Sequence, residues 1–234
     1  MLHEDDVILF QGDSITDAAR DRSITLPQSD EGLGLGRGYV LFTASALKAA
    51  MPGTRLKFHN RGVGGDKSWQ LAQRWQVDCI DLKPDVLSIL VGVNDTWHAQ
   101  SFPNETVPID KFNSIYRKLL DDALAGLPNL RIVLCEPFTL PCGQVNEKWF
   151  PEFDLRRRTV QQIAQDYNTV FVPFQTMFDQ ACEATAPEYW AADGVHPTIA
   201  GHMLMAQKWI SSVCGPNLLV GQFEHPSSTI TQKN

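Results

Sequence analysis

The sequence predicts an α/β fold of three layers, α/β/α, in which a five-stranded parallel sheet lies between two layers of helices. Three observations predict it. Short apolar runs alternate with helical stretches along the chain, the runs are apolar at consecutive rather than alternate residues, and several of them stop at glycine or a small polar residue. A strand buried on both faces needs the consecutive pattern, and parallel neighbours need a crossover, usually a helix, to bring the chain back. In such a sheet the ligand crevice lies outside the carboxyl ends of the strands, so the residues just after each run are where chemistry is sought.

The first strand, residues 7–11, is the run Val7-Ile8-Leu9-Phe10-Gln11, stopped by Gly12 and followed by Asp13-Ser14-Ile15-Thr16-Asp17. A polar, glycine-rich segment, 20–38, comes next. Its Gly32-Leu33-Gly34-Leu35-Gly36 lacks the lysine and hydroxyl of a phosphate loop, because Arg37-Gly38-Tyr39 stands in their place. A helix over 39–50 stops at Pro52-Gly53, and a second strand over 55–60 leads to Gly62, Gly64 and Gly65. The spacing of Trp69, Leu71, Ala72, Trp75, Val77 and Ile80 predicts a helix over 68–81, broken by Lys83-Pro84-Asp85. The third strand, 86–91, runs into Gly92-Val93-Asn94-Asp95 and an irregular stretch as far as Pro108. Then follow a helix over 109–127, a strand over 131–135, a helix over 153–167, a short strand over 170–173, and helices over 176–185 and 198–213. No repeat or linker divides the chain, so one domain is expected over 1–214. A tail over 215–234, with Leu218, Leu219, Val220 and Phe223, either packs on the surface or reaches a neighbouring subunit.

Composition narrows the function. The 234 residues are 43% hydrophobic, enough for a substantial core, and 20 basic against 27 acidic residues give a net charge of −7. That balance offers no field for nucleic acid. The basic triplet Arg156-Arg157-Arg158 falls in a helical stretch and is expected on a solvated or partner-facing side. No run is long and apolar enough to span a membrane. The start, Met1-Leu2-His3-Glu4-Asp5-Asp6, carries acids where a secretory leader would be basic and then apolar. The five cysteines lack metal-type spacing, so no metal and no cofactor are expected, and the chain reads as reduced and cytoplasmic.

The chemistry is sought in two places. Ser14 stands directly after the first strand, and Asp193-Gly194-Val195-His196-Pro197 lies near the other end of the chain. A serine becomes a useful nucleophile only when a base takes its proton and a third group holds that base in one tautomer. An Asp-x-x-His spacing lets the Asp193 carboxylate fold back onto Nδ1 of His196 and leave Nε2 facing Ser14. The plainer readings are that Asp13 or Ser14 caps a helix and that Asp193 caps a turn. His202 is the competing base, but its place one turn inside the last helix suits a structural role. Hydrolysis also needs donors for a tetrahedral oxyanion. The same sheet edge offers the N–H of Ser14, the N–H of Gly65 (with Gly62 and Gly64 as alternatives) and the side-chain amide of Asn94. Asp13 and Asp95 are expected to hold their loops by accepting backbone N–H groups.

Taken in order, Gly12-Asp13-Ser14, the block from Asn60 to Gly65, Gly92-Val93-Asn94-Asp95 and Asp193-Gly194-Val195-His196 resemble the four blocks of the SGNH (GDSL-type) serine hydrolases. The resemblance covers about residues 7–213. It implies a flavodoxin-like sheet, a Ser14 nucleophile, a His196 base supported by Asp193, and an oxyanion hole of Ser14, Gly65 and Asn94. Ile15 stands where the motif's name has leucine, and Val93 where a second glycine is common.

Within that family, Arg74-Trp75, Asn94-Asp95-Thr96-Trp97 and the run from His196-Pro197 to Met203 look most like intracellular acetyl-xylooligosaccharide esterases, which are oligomeric. That likeness implies acetylated oligosaccharide as substrate and an acyl-enzyme intermediate, with Trp97 and Trp190 as candidate sugar-stacking residues. Ala192 stands before Asp193 where those esterases carry tryptophan. The alternatives are a lysophospholipase or thioesterase of the same fold and a non-catalytic carbohydrate-binding protein.

Overall fold

The computed structural model describes residues 2–24, 32–101 and 106–218. Residues 25–31 of the polar segment and 219–234 of the expected tail lie outside the described residues. Five parallel strands, β1 (Val7–Gly12), β2 (Lys57–Asn60), β3 (Val86–Leu90), β4 (Arg131–Cys135) and β5 (Val170–Val172), form one sheet in the order β2-β1-β3-β4-β5. The chain runs outward from β1 to β2, then crosses back to place β3 on the other side of β1. The gap between β1 and β3 is therefore where the winding reverses, the place at which such sheets bind ligands.

Consecutive apolar residues serve opposite faces. Ile8 and Phe10 of β1 join Phe58, Leu90 and Val133 in one core. Leu9 joins Leu87, Ile89 and Leu134 in the other. Helices α2 (Tyr39–Ala50), α8 (Phe174–Cys182) and α10 (Ile199–Cys214) cover the first face with Tyr39, Val40, Leu47, Phe174, Phe178, Met205 and Trp209. The second face is covered by α3 (Ser68–Gln73), α4 (Trp75–Asp78), α6 (Ile109–Gly126) and α7 (Glu152–Asp166), through Leu71, Trp75, Phe112, Tyr116, Leu119 and Ile163. Ser88 is a polar interruption in the middle of β3. Its hydroxyl accepts the Trp209 indole N–H at 2.9 Å and lies 3.5 Å from the Cys135 sulfur.

The structure departs from the expected elements where a local feature outweighs apolar spacing. Arg55 has φ +51, so β2 begins only at Lys57. The expected helix 68–81 is broken into α3, α4 and a 3-10 turn over Ile80–Leu82, with the first break at Arg74. The segment expected to be irregular after β3 contains α5 (Val93–Ser101), which puts Asn94 in a helical first turn; residues 102–105 of that segment lie outside the described residues. A short helix α9 (Pro187–Trp190) also precedes the Asp193 loop.

Two residues of the basic triplet correct an expectation, while Arg158 is exposed as expected. Arg156 is fully buried, donating to Thr96 Oγ1 at 3.0 Å and to the Val107 carbonyl and Glu152, while its guanidinium lies 4.9 Å from the Phe112 ring centre. Arg157 pairs with Glu136 at 3.1 Å and with Asp154 at 2.9 Å. Partners within the chain account for both arginines.

Gly12 ends β1 because nothing larger fits there: a Cβ would lie 2.3 Å from the Leu90 carbonyl oxygen and 2.4 Å from Thr16 Oγ1. This close approach lets the turn α1 (Ser14–Asp17) begin immediately beyond the sheet edge. Replacing Trp209 by phenylalanine keeps the ring stack on Phe10 and deletes the bond to Ser88. The loss of one buried hydrogen bond is expected to lower unfolding free energy by about 1–3 kcal/mol, read as a lower urea midpoint at unchanged slope.

Candidate active site

Three strand ends set the geometry. Gly12 of β1 lies opposite Leu90 of β3, and Phe10 opposite Asn60 of β2, so the segments leaving β1, β2 and β3 emerge side by side. The β2 exit is tied to β1 by two further bonds, Arg61 N–H to the Phe10 carbonyl at 2.8 Å and Val63 N–H to the Gly12 carbonyl at 3.0 Å. Ser14 is the first residue of α1. The helix is capped by Asp13, whose Oδ1 accepts the Ile15 N–H at 3.0 Å. Asp13 takes the cap, and Ser14 is left partly exposed beside it.

Asn60 performs a positioning role that the sequence reading left unassigned. Its amide donates to the Thr16 and Leu35 carbonyls at 2.6 and 2.9 Å, and its Oδ1 accepts the Gly62 N–H at 2.9 Å. One buried side chain therefore joins the end of β2, the serine turn and the 3-10 turn Gly32–Leu35. Asp17 adds a second tie by accepting the Gly64 N–H at 3.0 Å and pairing with Arg22. Gly65 takes φ +85, which a side chain rarely adopts, and faces the His98 ring, with its Cβ position 3.9 Å from His98 Cε1.

The far end of the chain is brought back by α10 and its preceding loop. The Asp193 segment is held by Leu140 N–H to the Gly194 carbonyl and by Gln144 N–H to the Asp193 carbonyl, both at 2.8 Å. Thr198 caps α10 by accepting the Gly201 N–H at 3.2 Å. From this platform His196 Nε2 lies 2.8 Å from Ser14 Oγ across 182 positions of chain, and His196 Nδ1 lies 2.7 Å from Asp193 Oδ2. Asp193 Oδ1 also accepts the N–H groups of Val195 and His196 at 2.9 and 2.7 Å. Partial burial raises the Asp193 carboxyl, but the hydrogen bonds from His196 and Val195 outweigh it and hold the group below the ordinary carboxylate range. A hydroxyl on one imidazole nitrogen with an ionised carboxylate on the other is the arrangement that can strip a proton from an alcohol.

Asn94 is buried, and its amide donates to the Asp66 carbonyl at 3.1 Å. This bond ties α5 to the loop carrying Gly65. Asp95 accepts the Ser68 N–H at 3.0 Å and the Ser68 hydroxyl at 2.6 Å, so it anchors α5 to the start of α3. Burial pushes the Asp13 carboxyl up to about 7, against the Ile15 N–H it accepts, and the nearby Asp95 and Asp66 push in the same direction. Partial protonation limits the negative charge beside Ser14.

The aromatic candidates separate. The Trp97 ring lies 5.6 Å from the His196 ring and 5.8 Å from Trp149, so it walls the site. Trp190 is partly buried against the core, with its indole N–H enclosed and the edge of Tyr189 against it at 4.9 Å. Its carbonyl accepts Thr198 N–H at 2.8 Å. It supports the loop, and among the described residues it is Trp97 whose ring meets His196.

His202 is a structural acceptor: its Nδ1 receives the Tyr39 N–H at 3.2 Å and so caps α2, which has no side-chain cap of its own. Burial, helped by the nearby His196, pushes its imidazole down to about 4. Among the described residues no group of three or more histidine, cysteine, aspartate or glutamate side chains could hold a metal ion, and no helix is long and apolar enough to cross a membrane.

The sequence profile of the GDSL-like lipase/acylhydrolase family matches residues 10–204. The acetylxylan esterase of Geobacillus stearothermophilus is 34% identical over 211 residues, covering 88% of this chain and 93% of that protein. A protein of Parabacteroides merdae ATCC 43184, described only as GDSL-like lipase, superposes with a TM-score of 0.86 at 43% identity, over 93% of this chain and 98% of that one. The crystal structure of the Geobacillus enzyme, Axe2, gives 0.80 at 32% identity over 90% and 94% of the two chains.

His202 makes stability depend on pH. Its folded value of about 4 lies below the ordinary imidazole value of 6.5, so between these values the unfolded chain binds the proton that the folded chain excludes. Its contribution is complete above the higher value and declines as pH falls through the window. Asp13, with its raised value, acts oppositely, so the measurement is a difference. Subtracting the stability of His202→Asn, which keeps an acceptor for Tyr39, should leave a curve that rises with pH between 4 and 6.5; a flat difference contradicts the assignment.

Proposed function

Because the chain belongs to the GDSL-like lipase/acylhydrolase family and is a carboxylic ester hydrolase, we propose that it removes short acyl groups, acetyl above all, from carbohydrates through an acyl-enzyme on Ser14. The observation that carries this reading is the continuous chain Ser14 Oγ, His196 Nε2, His196 Nδ1, Asp193 Oδ2, with links of 2.8 and 2.7 Å. Ser14 Oγ attacks the acyl carbon as His196 takes its proton, and Asp193 stabilises the resulting imidazolium. The N–H groups of Ser14 and Gly65 and the amide of Asn94 receive the oxyanion. Return of the proton to the sugar oxygen releases the alcohol. A water activated by the same imidazole then attacks the acyl-serine and releases the acid.

Two features support a small acyl group on a hydrated alcohol. The His196 and Asp193 side chains are 43% and 36% exposed, so the leaving group is met at an open surface. A long acyl chain needs an enclosed apolar channel instead. Trp97 beside His196 gives an apolar face on which a sugar ring stacks, and the Geobacillus relative is an acetylxylan esterase.

The five free cysteines fit a cytoplasmic location. Exposed Ile199 and Met203 on α10 fit a homo-oligomer.

Ser14→Ala should lower p-nitrophenyl acetate hydrolysis by at least about 10⁴-fold while leaving the melting curve in place, and wild type should be labelled at Ser14 by a fluorophosphonate. Undiminished turnover by the variant refutes the nucleophile, and absence of labelling favours a binding protein. Asn94→Ala should lower kcat by about 10²- to 10³-fold. Acetylated xylooligosaccharides should be cleaved faster than decanoyl esters or lysolipids; the reverse order supports a lipid-directed member of the same family.

A further inference from the structure

One guanidinium touches the backbone of both loops that carry the backbone oxyanion donors. Arg74 lies between α3 and α4, where the apolar spacing predicts an unbroken helix, and its side chain turns inward to 17% exposure. Its Nε donates to Asp66 Oδ2 at 2.8 Å. Nη1 donates to the Arg61 carbonyl at 2.7 Å and Gln11 Oε1 at 2.9 Å, with Asp78 Oδ2 at 3.2 Å. Nη2 reaches the Gly12 carbonyl at 3.2 Å. The Gly12 carbonyl leads directly into Asp13 and Ser14. Arg61 and Asp66 bracket the loop that holds Gly65, and the carbonyl of Asp66 accepts the Asn94 amide at 3.1 Å.

We propose that Arg74 is a positioning residue for ester hydrolysis, fixing the Ser14 N–H, the Gly65 N–H and the Asn94 amide as one rigid set. This assignment rests on the esterase reading above. Donors stabilise a developing oxyanion only if they are already aimed when it forms, and a shift of a fraction of an ångström in any of them weakens it. The positive charge of Arg74 is met by Asp66 and Asp78, so Arg74 acts through geometry rather than as a charge on the reacting atoms. A planar fork of five N–H donors spans acceptors from β1, the β2 loop and α4 at once; a lysine ammonium, a single point with three donors, cannot.

The test compares wild type, Arg74→Ala, Arg74→Lys and Asp66→Asn, each first shown to be folded by thermal melting and circular dichroism. Both Arg74 variants should lose kcat on p-nitrophenyl acetate by about 10- to 100-fold with KM within about twofold, because donor alignment matters more in the transition state than in the bound substrate. Added guanidinium ion should restore a several-fold part of kcat to Arg74→Ala and none to Arg74→Lys, whose ammonium occupies the space. Asp66→Asn, the milder change should the arginine variants fail to fold, should lower kcat in the same direction with KM unmoved. Wild-type kcat in folded variants, or a loss in Arg74→Ala that guanidinium does not restore, overturns the assignment of Arg74 alone. An inactive wild type overturns the esterase reading and this assignment with it.

Discussion

The placement of β1 between β2 and β3 is the constraint on which the rest depends. Parallel pairing on both sides fixes Gly12 against Leu90 and Phe10 against Asn60, so three chain segments leave the sheet at one level. Everything polar near the site then extends this pairing. Asn60 bonds to Thr16 and Leu35, Asn94 to Asp66, and Asp95 to Ser68. A slip of one residue would exchange the two faces of β1 between the cores and carry Ser14 off the edge. Burial of Phe10 and Ile8 on one side and of Leu9 on the other opposes that slip.

Much of the fold was legible because buried parallel strands announce themselves as consecutive apolar residues, and the order of strands and helices follows from that. The grouping of the candidate residues was legible because they stand at strand ends or in one short loop, where Ser14, Asn94, Asp193 and His196 are each marked by neighbouring glycine or by fixed spacing. What was not legible depended on side chains whose partners lie far away in sequence. Arg156 reads as a surface charge until Glu152, Thr96 and Val107 surround it. The helix break at Arg74 is invisible to apolar spacing, because it serves polar contacts to Gln11, Arg61 and Asp66 rather than packing. The helical setting of Asn94 was hidden by an α5 sequence that is polar along most of its length.

Charge is handled by the same economy of contacts. Asp13, Asp66 and Asp95 lie near one another behind the serine turn, all largely buried. Arg74 answers Asp66 directly, and Arg156 acts on Asp95 from a distance, while Asp13 is left with one backbone donor and a raised value. His202, partly buried, remains neutral near pH 7 and caps α2. Asp193, whose carboxylate meets the His196 imidazole, is the most exposed of these acids. Exposure there suits a group that must stay charged, since water shares its solvation with the loop N–H groups.

The 182 positions between Ser14 and His196 also set an order in time. A ribosome releases β1 and its serine early, whereas the imidazole and its carboxylate are polymerised late. Until His196 is made, Ser14 Oγ has no imidazole beside it. On the esterase reading proposed above, a chain that stops short of the loop before the last helix lacks its base.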